Sequence, residues 1–237
     1  MWLYSAIMLL AIVVAGVLLR FTQRPLALST FQRLAIGIGA FCGAMIGAKL
    51  PFVLSDWSAF RSGAAWFSDG TTILLGLVGG YLGVEVAKWC LEIRTRTGDS
   101  FVVPVAVAVA IGRVGCFVAG CCYGTATRLP WGVVFAQVDQ APRHPTQLYE
   151  TAFHAACAAG MAVALQRGWC RGHLIKAYII LYAGYRFLTE FIRPEAQFLA
   201  GLTGYQWSSL ALVVGFAALW QFDARQMRRE VARRQPA

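Results

Sequence analysis

A stripe of polar and charged side chains crosses one of the apolar stretches of the chain. The segment YAGYRFLTEFIR carries a tyrosine, an arginine, a glutamate and a second arginine at spacings of four, four and three: Tyr182, Arg186, Glu190 and Arg193. These spacings place all four side chains on one face of a helix. Ionisable groups within a membrane are costly and mark function. The alternative is an Arg186–Glu190 salt bridge that only joins helices.

A second arginine lies in an equally apolar setting. Arg113 belongs to GRVGCFVAGCCYG, which follows ten apolar residues. Its neighbours Gly112 and Gly115 allow close backbone approach, and a helix broken there could line a cavity. Two arginines from different helices would bind a phosphate bidentately while remaining charged, and the phosphate available at that depth belongs to a phospholipid. The alternative is that Arg113 pairs with a carboxylate such as Glu150 or Glu190.

The segment PRHPTQLYE supplies further polar groups at the start of an apolar stretch. They are Arg143, His144, Gln147, Tyr149 and Glu150. The imidazole of His144 has an unperturbed pKa of about 6.5, which suits proton transfer. A hydrogen-bonded cap between two proline-flanked turns explains the same histidine equally well.

Three of the seven cysteines are clustered, at Cys116, Cys121 and Cys122. A disulfide, a metal site and a nucleophile are all open to such a cluster. The spacing C-x4-C-C matches no usual zinc pattern, so we expect no metal site. Packing or redox pairing is the favoured interpretation.

The elements that carry these residues must lie in a membrane. The chain has 237 residues, of which 58% are hydrophobic and 14% charged. A membrane-spanning helix needs about 20 apolar residues. Seven windows meet this length, and they predict an all-α membrane protein with seven transmembrane helices near residues 2–19, 34–54, 71–91, 101–120, 147–165, 174–193 and 205–222.

The basic residues predict the orientation of these helices. The net charge of +10 would suggest nucleic acid in a soluble protein, but here it is read through the positive-inside rule, and no nucleic-acid partner is expected. Alternate connections and the tail carry thirteen basic residues, whereas the other connections carry only Arg61, Arg128 and Arg143. The N-terminus is therefore predicted outside and the C-terminus in the cytoplasm. No linker divides residues 1–237, so we expect one domain, with outer loops near 55–70 and 120–147.

The motifs GRVGCFVAG, RHPTQLYE, YAGYRFLTEFIR and GYQWSSL occur in the order typical of one enzyme family. In them the chain resembles bacterial prolipoprotein diacylglyceryl transferases. The resemblance implies a seven-span inner-membrane enzyme that moves the diacylglyceryl group of phosphatidylglycerol onto the lipobox cysteine of a prolipoprotein, without metal or cofactor. It assigns the family's essential arginines to Arg113 and Arg186, and a family tyrosine to Tyr182.

From the resemblance and the residues together we expect two groups of site residues. The catalytic candidates are Arg113, Arg186, Tyr182 and His144. The candidates for substrate binding are Arg143, Gln147, Tyr149, Glu150, Glu190, Arg193, Gly112 and Gly115. The arginines would hold the phosphate and stabilise the charge on the leaving glycerol phosphate, and His144 would take the acceptor's thiol proton.

The chain departs from the family at several positions. Val78 stands where a typical member has a histidine before a Gly-Gly pair, and Cys116, Ala119 and Cys121 replace two amides and an acid of the signature. These departures leave two further hypotheses. One is transfer of a phospholipid-derived group to another acceptor in the outer leaflet. The other is a non-catalytic lipid-binding or thiol-redox membrane protein.

Overall fold

The structure is a computed structural model that describes residues 2–55, 57–63, 66 and 70–234, and these residues are mostly helical. The helices are α1 (Trp2–Thr22), α2 (Thr30–Ser55), α3 (Trp57–Ser62), α4 (Ile73–Cys90), α5 (Gly98–Val118), α6 (Thr146–Arg167), α7 (Leu174–Thr189), a 3₁₀ turn (Glu190–Ile192) and α8 (Gly204–Arg234). Two short antiparallel hairpins complete them: β1 (Val133–Val134) with β2 (Pro142–Arg143), and β3 (Gln197–Leu199) with β4 (Leu202–Thr203).

Within the described residues, six helices are long and apolar enough to cross a membrane: α1, α2, α4, α5, α6 and α8. This confirms the prediction of a helical, multi-pass membrane protein. The seventh predicted span contains α7, which has 16 residues. At 1.5 Å per residue α7 is about 24 Å long, shorter than the ~30 Å of hydrocarbon.

The chain divides into two compact units, of which the smaller comprises residues 21–98. Its core is the contact between α2 and α4, where glycines recur every four residues: Gly39, Gly43 and Gly47 on α2, and Gly79 and Gly83 on α4. A Cβ added at Gly39 would lie 2.6 Å from the carbonyl oxygen of Gly83. The two backbones can approach this closely only because the side chains are absent. Of the predicted outer loop 55–70, residues 56, 64, 65 and 67–69 lie outside the described residues.

The larger unit comprises the described residues of 1–20 and 99–237. Its central helix is α7, which packs on α8 and whose Tyr178, Ile179, Tyr182 and Ala183 are buried. Helix α1 lies against α5, because the nearest atoms to Gly112 and Gly115 belong to side chains of α1. These two glycines therefore make room for a neighbouring helix.

Polar contacts join helices at one end of the larger unit. The carboxylate of Asp99, at the start of α5, accepts hydrogen bonds from the backbone N–H groups of Gly172 (2.5 Å) and Leu174 (2.9 Å), where α7 begins. Nearby, Nζ of Lys176 donates to Asp223 of α8 at 2.5 Å. The bond from Leu174 satisfies one of the backbone donors that the start of α7 leaves unpaired, and the bond from Gly172 fixes the chain just before it.

At the opposite end, α5 and α7 end while α6 and α8 begin. The connection from α5 to α6 contains the β1–β2 hairpin, and its Phe135 is buried against Phe117 and Tyr123. Helix α8 begins with a capping box: the backbone N–H of Gln206 donates to Oγ1 of Thr203, and the backbone N–H of Thr203 donates to the Gln206 side chain. This end of the larger unit is called the site end below.

Candidate functional site

A buried glutamate on α6 is surrounded by three arginines at the site end. Glu150 is 1% exposed. Its Oε2 forms an ion pair with Nε of Arg113, and its Oε1 lies 2.5 Å from Nη2 of Arg193 and 3.9 Å from Nη1 of Arg186. All three arginines are themselves buried. We call these four residues, together with Glu190, the arginine cluster.

Four separate segments bring the cluster together. Arg113 lies in the last turns of α5, Glu150 in the second turn of α6, and Arg186 in the last turn of α7. The 3₁₀ turn after α7 ends immediately before Arg193, whose backbone N–H donates to the carbonyl oxygen of Glu190. The tighter turn thus directs the second arginine of the stripe back toward α6.

A second carboxylate holds Arg186 in place. Nη2 of Arg186 lies 2.8 Å from Oε2 of Glu190, one helical turn later. Oγ1 of Thr203, the capping residue of α8, donates to Oε1 of Glu190 at 2.8 Å. The Arg186 guanidinium also lies over the Tyr205 ring, 4.6 Å from its centroid, as expected of a cation–π contact. Both predicted arginine–carboxylate pairings, of Arg113 and of Arg186, are therefore present.

Two buried N–H donors of the cluster have no acceptor among the described residues. A guanidinium has five N–H groups. None of the described residues accepts a hydrogen bond from Nη1 of Arg186 or from Nε of Arg193, although both atoms are buried. Unpaired buried donors are costly, and each such group calls for an explanation. An anion between α6 and α7 would satisfy them.

An aromatic layer lies one turn deeper than the cluster. Tyr182 is buried, and its ring centroid is 4.7 Å from that of His154 on α6. Nδ1 of His154 lies 2.8 Å from the Tyr178 hydroxyl, whereas Nε2 has no hydrogen-bond partner among the described residues. His154 was not among the candidates expected from the sequence, although it follows Glu150 by four residues and so shares its helix face.

His144, the histidine proposed from the sequence, lies in a separate group of side chains. Nδ1 of His144 is 3.3 Å from the Tyr149 hydroxyl, which accepts a hydrogen bond of 2.8 Å from Nε1 of Trp131. His144 also borders the chain after the clustered cysteines, because the backbone N–H of Gly124 donates to its carbonyl oxygen.

Arg143 pairs with a nearer acid than those of the arginine cluster. Its guanidinium donates to both carboxylate oxygens of Asp139 and to the carbonyl oxygen of Gly124, and it lies over the Tyr123 ring. The hydrogen bonds from Arg143 hold the pKa of the Asp139 carboxyl below its ordinary value. Arg143 therefore fastens the loop between α5 and α6.

The three clustered cysteines are also at the site end. Their Sγ atoms all lie within 4.8 Å of one another, and all three are free thiols. Nη1 of Arg113 lies 3.8 Å from Sγ of Cys116, so this group adjoins the arginine cluster. Hydrogen bonds with the Cys116 and Cys121 thiols, and then the charge of Arg113, hold the pKa of the Cys122 thiol below its ordinary value.

Comparison with known proteins decides the family. Residues 1–222 match the family model described as prolipoprotein diacylglyceryl transferase. The chain belongs to the prolipoprotein diacylglyceryl transferase family. The match runs through α1 and all four segments that build the arginine cluster.

Three curated relatives carry the name phosphatidylglycerol–prolipoprotein diacylglyceryl transferase. The protein of Clostridium tetani is 30% identical over 203 residues, which cover 81% of this chain and 80% of that protein. The Bordetella parapertussis protein is 31% identical, with 77% and 74% covered. The Nitratidesulfovibrio vulgaris protein is 32% identical, with 73% and 68% covered. The resemblance seen in the sequence motifs is confirmed, and so is membership of a transferase family.

Proposed function

We propose that this protein transfers the diacylglyceryl group of phosphatidylglycerol to the lipobox cysteine thiol of prolipoproteins. Family membership and the names of its relatives support the reaction class. The observation that carries the proposal for this chain is the arginine cluster, in which two buried N–H donors find no acceptor among the described residues. No nucleic acid enters the proposal.

The charge of the cluster suits a lipid phosphate. Three guanidinium groups face two carboxylates, so three positive charges less two negative ones leave an excess of one. The phosphodiester of phosphatidylglycerol carries one negative charge and accepts several hydrogen bonds. Binding it would neutralise the cluster and occupy the free donors of Arg186 and Arg193.

The reaction needs the same groups at its next stage. As the bond from the diacylglyceryl carbon to the phosphate oxygen breaks, a second negative charge develops on the leaving glycerol phosphate. Arg113 and Arg186 would stabilise that charge, with Glu150 and Glu190 orienting them. Tyr182 would hydrogen-bond the lipid head group, and His144 would accept the thiol proton of the acceptor.

The remaining sequence-derived candidates have supporting roles in this scheme. Arg193 would add a third guanidinium to the phosphate site, while Gln147, Tyr149 and Arg143 would shape the loop above it. Gly112 and Gly115 would keep α5, the helix that carries Arg113, packed against α1.

We further propose a seven-span arrangement in the bacterial inner membrane, with one membrane domain covering 1–237. Helix α7 and its 3₁₀ turn would be the seventh span. This span would be shorter than the others and buried among them. The N-terminus would lie outside and the C-terminus in the cytoplasm, as the thirteen-to-three distribution of basic residues indicates. The site end and the loops near 55–70 and 120–147 would then face outward.

The test uses purified protein in phosphatidylglycerol liposomes with a lipobox peptide. The peptide should gain the mass of one diacylglyceryl group, and Arg186→Ala should lower the rate by roughly 10²–10³-fold, as loss of an oxyanion donor does. Arg128→Ala, an exposed arginine of the outer loop, is the matched control and should retain full activity. Unchanged transfer in correctly folded Arg186→Ala protein would sink the proposal.

A second candidate function is transfer of a phospholipid-derived group to a different outer-leaflet acceptor. The observation that favours it is Val78, which occupies the family histidine's place in α4. Expression in transferase-depleted cells separates the two: restored lipoprotein maturation supports the lipobox, whereas lipid turnover without maturation supports another acceptor. Phosphatidylglycerol binding with no turnover at all would support a non-catalytic lipid-binding protein.

A further inference from the structure

The three clustered thiols, Cys116, Cys121 and Cys122, are named the thiol trio. Among the described residues, these three thiols lie close enough together to hold one metal ion, and no histidine or carboxylate joins the group. Cys121 and Cys122 are exposed, while Cys116 is partly covered. The trio therefore has one side toward the protein and one open side.

The end of α5 forms the trio through backbone geometry. The backbone N–H of Cys121 donates to the carbonyl oxygen of Cys116 at 3.1 Å, across Gly120, which has a φ of +66°. This six-to-one bond around a left-handed glycine is a Schellman motif, which brings the side chains at its two ends into contact. Cys116 and Cys121 occupy these two positions.

The third thiol reaches the others at a conformational cost. Cys122 has a φ of +61°, in the left-handed region that residues with a Cβ seldom adopt. Two side chains of the first turn of α6 hold it there. Oγ1 of Thr146 donates to the carbonyl oxygen of Cys122 at 2.6 Å, and Nε2 of Gln147 donates to that of Cys121 at 2.5 Å. Strain maintained by its surroundings is typical of a functional site.

The convergence of three thiols suits a shared metal ion, because a disulfide would join only two of them. Two sulfurs in a disulfide are about 2.05 Å apart. Zinc–sulfur bonds of about 2.3 Å in a tetrahedron place sulfurs about 3.8 Å apart. All three Sγ atoms lie within 4.8 Å of one another, so each needs only a small movement to reach one ion at their centre. Thiolates are the ligands that zinc accepts in both structural and catalytic sites.

We propose that the thiol trio binds one Zn²⁺ through the three sulfurs of Cys116, Cys121 and Cys122, and that the open fourth position takes the thiol of the acceptor. The inference rests on the proposed function for its acceptor. Three protein ligands with one open position are the arrangement of catalytic zinc, in contrast to the closed four-ligand arrangement of structural zinc. The chain spacing C-x4-C-C concealed this set because the Schellman turn folds it back.

The zinc ion prepares the acceptor sulfur for attack on carbon. The acceptor thiol binds as a thiolate, and its proton passes to His144, the acceptor proposed above, and then to water. The thiolate attacks the diacylglyceryl carbon, so that the carbon–sulfur bond forms while the carbon–oxygen bond to phosphate breaks. The electron pair leaves on glycerol phosphate, and the thioether, a weaker ligand, dissociates from zinc. Nothing is oxidised or reduced.

The position of the trio links it to the lipid phosphate. Arg113 contacts Glu150 through Nε and Cys116 through Nη1, so one guanidinium lies between the proposed nucleophile and the proposed leaving group. The three thiolates exceed the charge of Zn²⁺ by one, and this excess keeps a bound acceptor sulfur electron-rich. The zinc site would thereby generate the acceptor thiolate without the family histidine, whose place Val78 occupies.

Metal binding is tested first, without turnover, on the full chain in detergent after reduction and chelation. We expect one zinc per chain, and Co²⁺ in its place should give sulfur-to-cobalt charge-transfer bands. Cys121→Ser and Cys122→Ser should each lose tight binding. The matched control replaces the other four cysteines, Cys42, Cys90, Cys157 and Cys170, by serine and should bind normally. No zinc in the reduced wild-type chain, or equal binding after the trio substitutions, overturns the proposal.

Acceptor binding and transfer are then tested separately. A lipobox peptide should shift the cobalt bands, whereas the same peptide with serine for cysteine should not; identical responses overturn the open fourth position. Removal of zinc should slow transfer at least roughly 100-fold, the lower range for assistance with proton removal, and zinc should restore it. Full-rate transfer by zinc-free protein also overturns the proposal. Zinc and peptide binding without product would contradict the proposed function alone.

Discussion

Two helix contacts of this protein, one in each unit, are built by opposite means. In the smaller unit, α2 and α4 meet through glycines, and a Cβ at any of Gly39, Gly43 or Gly47 would collide with the opposite backbone. In the larger unit, α5, α6 and α7 meet through the five charged side chains of the arginine cluster. Close backbone packing needs no charge, so the first contact is sufficient for helix association.

The contrast indicates what the charges are for. Removing an ion from water costs several kcal/mol, and well-packed apolar residues often stabilise a protein as well as a buried ion pair does. The smaller unit proves that this chain can join helices without such groups. The cluster is therefore better explained by a ligand than by stability. Three substitutions test this difference between the two contacts.

Glu150→Gln should produce the largest effect. It leaves three buried arginines with one carboxylate, and breaking a buried ion pair costs about 3–5 kcal/mol. The measurement is thermal or denaturant unfolding in detergent. Glu85→Gln is the matched control, because Glu85 pairs with Lys88 on α4 while its side chain is 44% exposed; such pairs contribute about 0–1 kcal/mol. Equal losses in both variants would show that the arginine cluster is no special charge centre.

Gly43→Ala should produce a smaller loss, confined to the smaller unit. The new methyl group meets the carbonyl oxygen of Gly79, and overpacking of this kind costs about 1–3 kcal/mol. Gly37→Ala, on the same helix but with no atom within 4 Å of its added Cβ, should be neutral or slightly stabilising. Cross-linking of α2 to α4 through introduced cysteines would report their separation. A tolerated Gly43→Ala would mean that glycine packing does not hold these helices.

Tyr178→Phe should produce the smallest effect of the three. It removes the hydroxyl that lies 2.8 Å from Nδ1 of His154 and leaves the ring in place. A neutral buried hydrogen bond contributes about 1 kcal/mol, so the loss should be well below that of Glu150→Gln in the same unfolding assay. A loss as large as that of Glu150→Gln would mean that the aromatic layer, and not the charge cluster, carries the polar stability of the larger unit.

The sequence was sufficient for the parts of this picture that depend on local patterns. Hydropathy located the helices, the spacing of Arg186 and Glu190 predicted their pairing, and four motifs identified the family. Each rests on residues close together in the chain or on a known motif. The seventh predicted span, residues 174–193, differs from the structure because α7 ends at Thr189 and a 3₁₀ turn follows. A count of apolar residues does not detect this change of helix type.

What escaped prediction depends on contacts between distant segments. The meeting of Arg113, Arg186 and Arg193 at Glu150 requires three helices and a turn to converge. His154 was passed over because its importance comes from Tyr178 and Tyr182 on another helix. The thiol trio was discounted because ligand spacing was counted along the chain, whereas a Schellman turn sets the distances in space.

Asp99 fixes α5 at the end of the larger unit opposite the arginine cluster. Its hydrogen bonds to Gly172 and Leu174 fasten the start of α5 to the start of α7. Arg113 follows Asp99 by 14 residues, close to four helical turns, so both residues share a face and lie about 21 Å apart. The hydrogen bonds of Asp99 thus act as a rotational stop for α5. Releasing that stop would let the helix turn about its axis and swing the distant guanidinium away from Glu150.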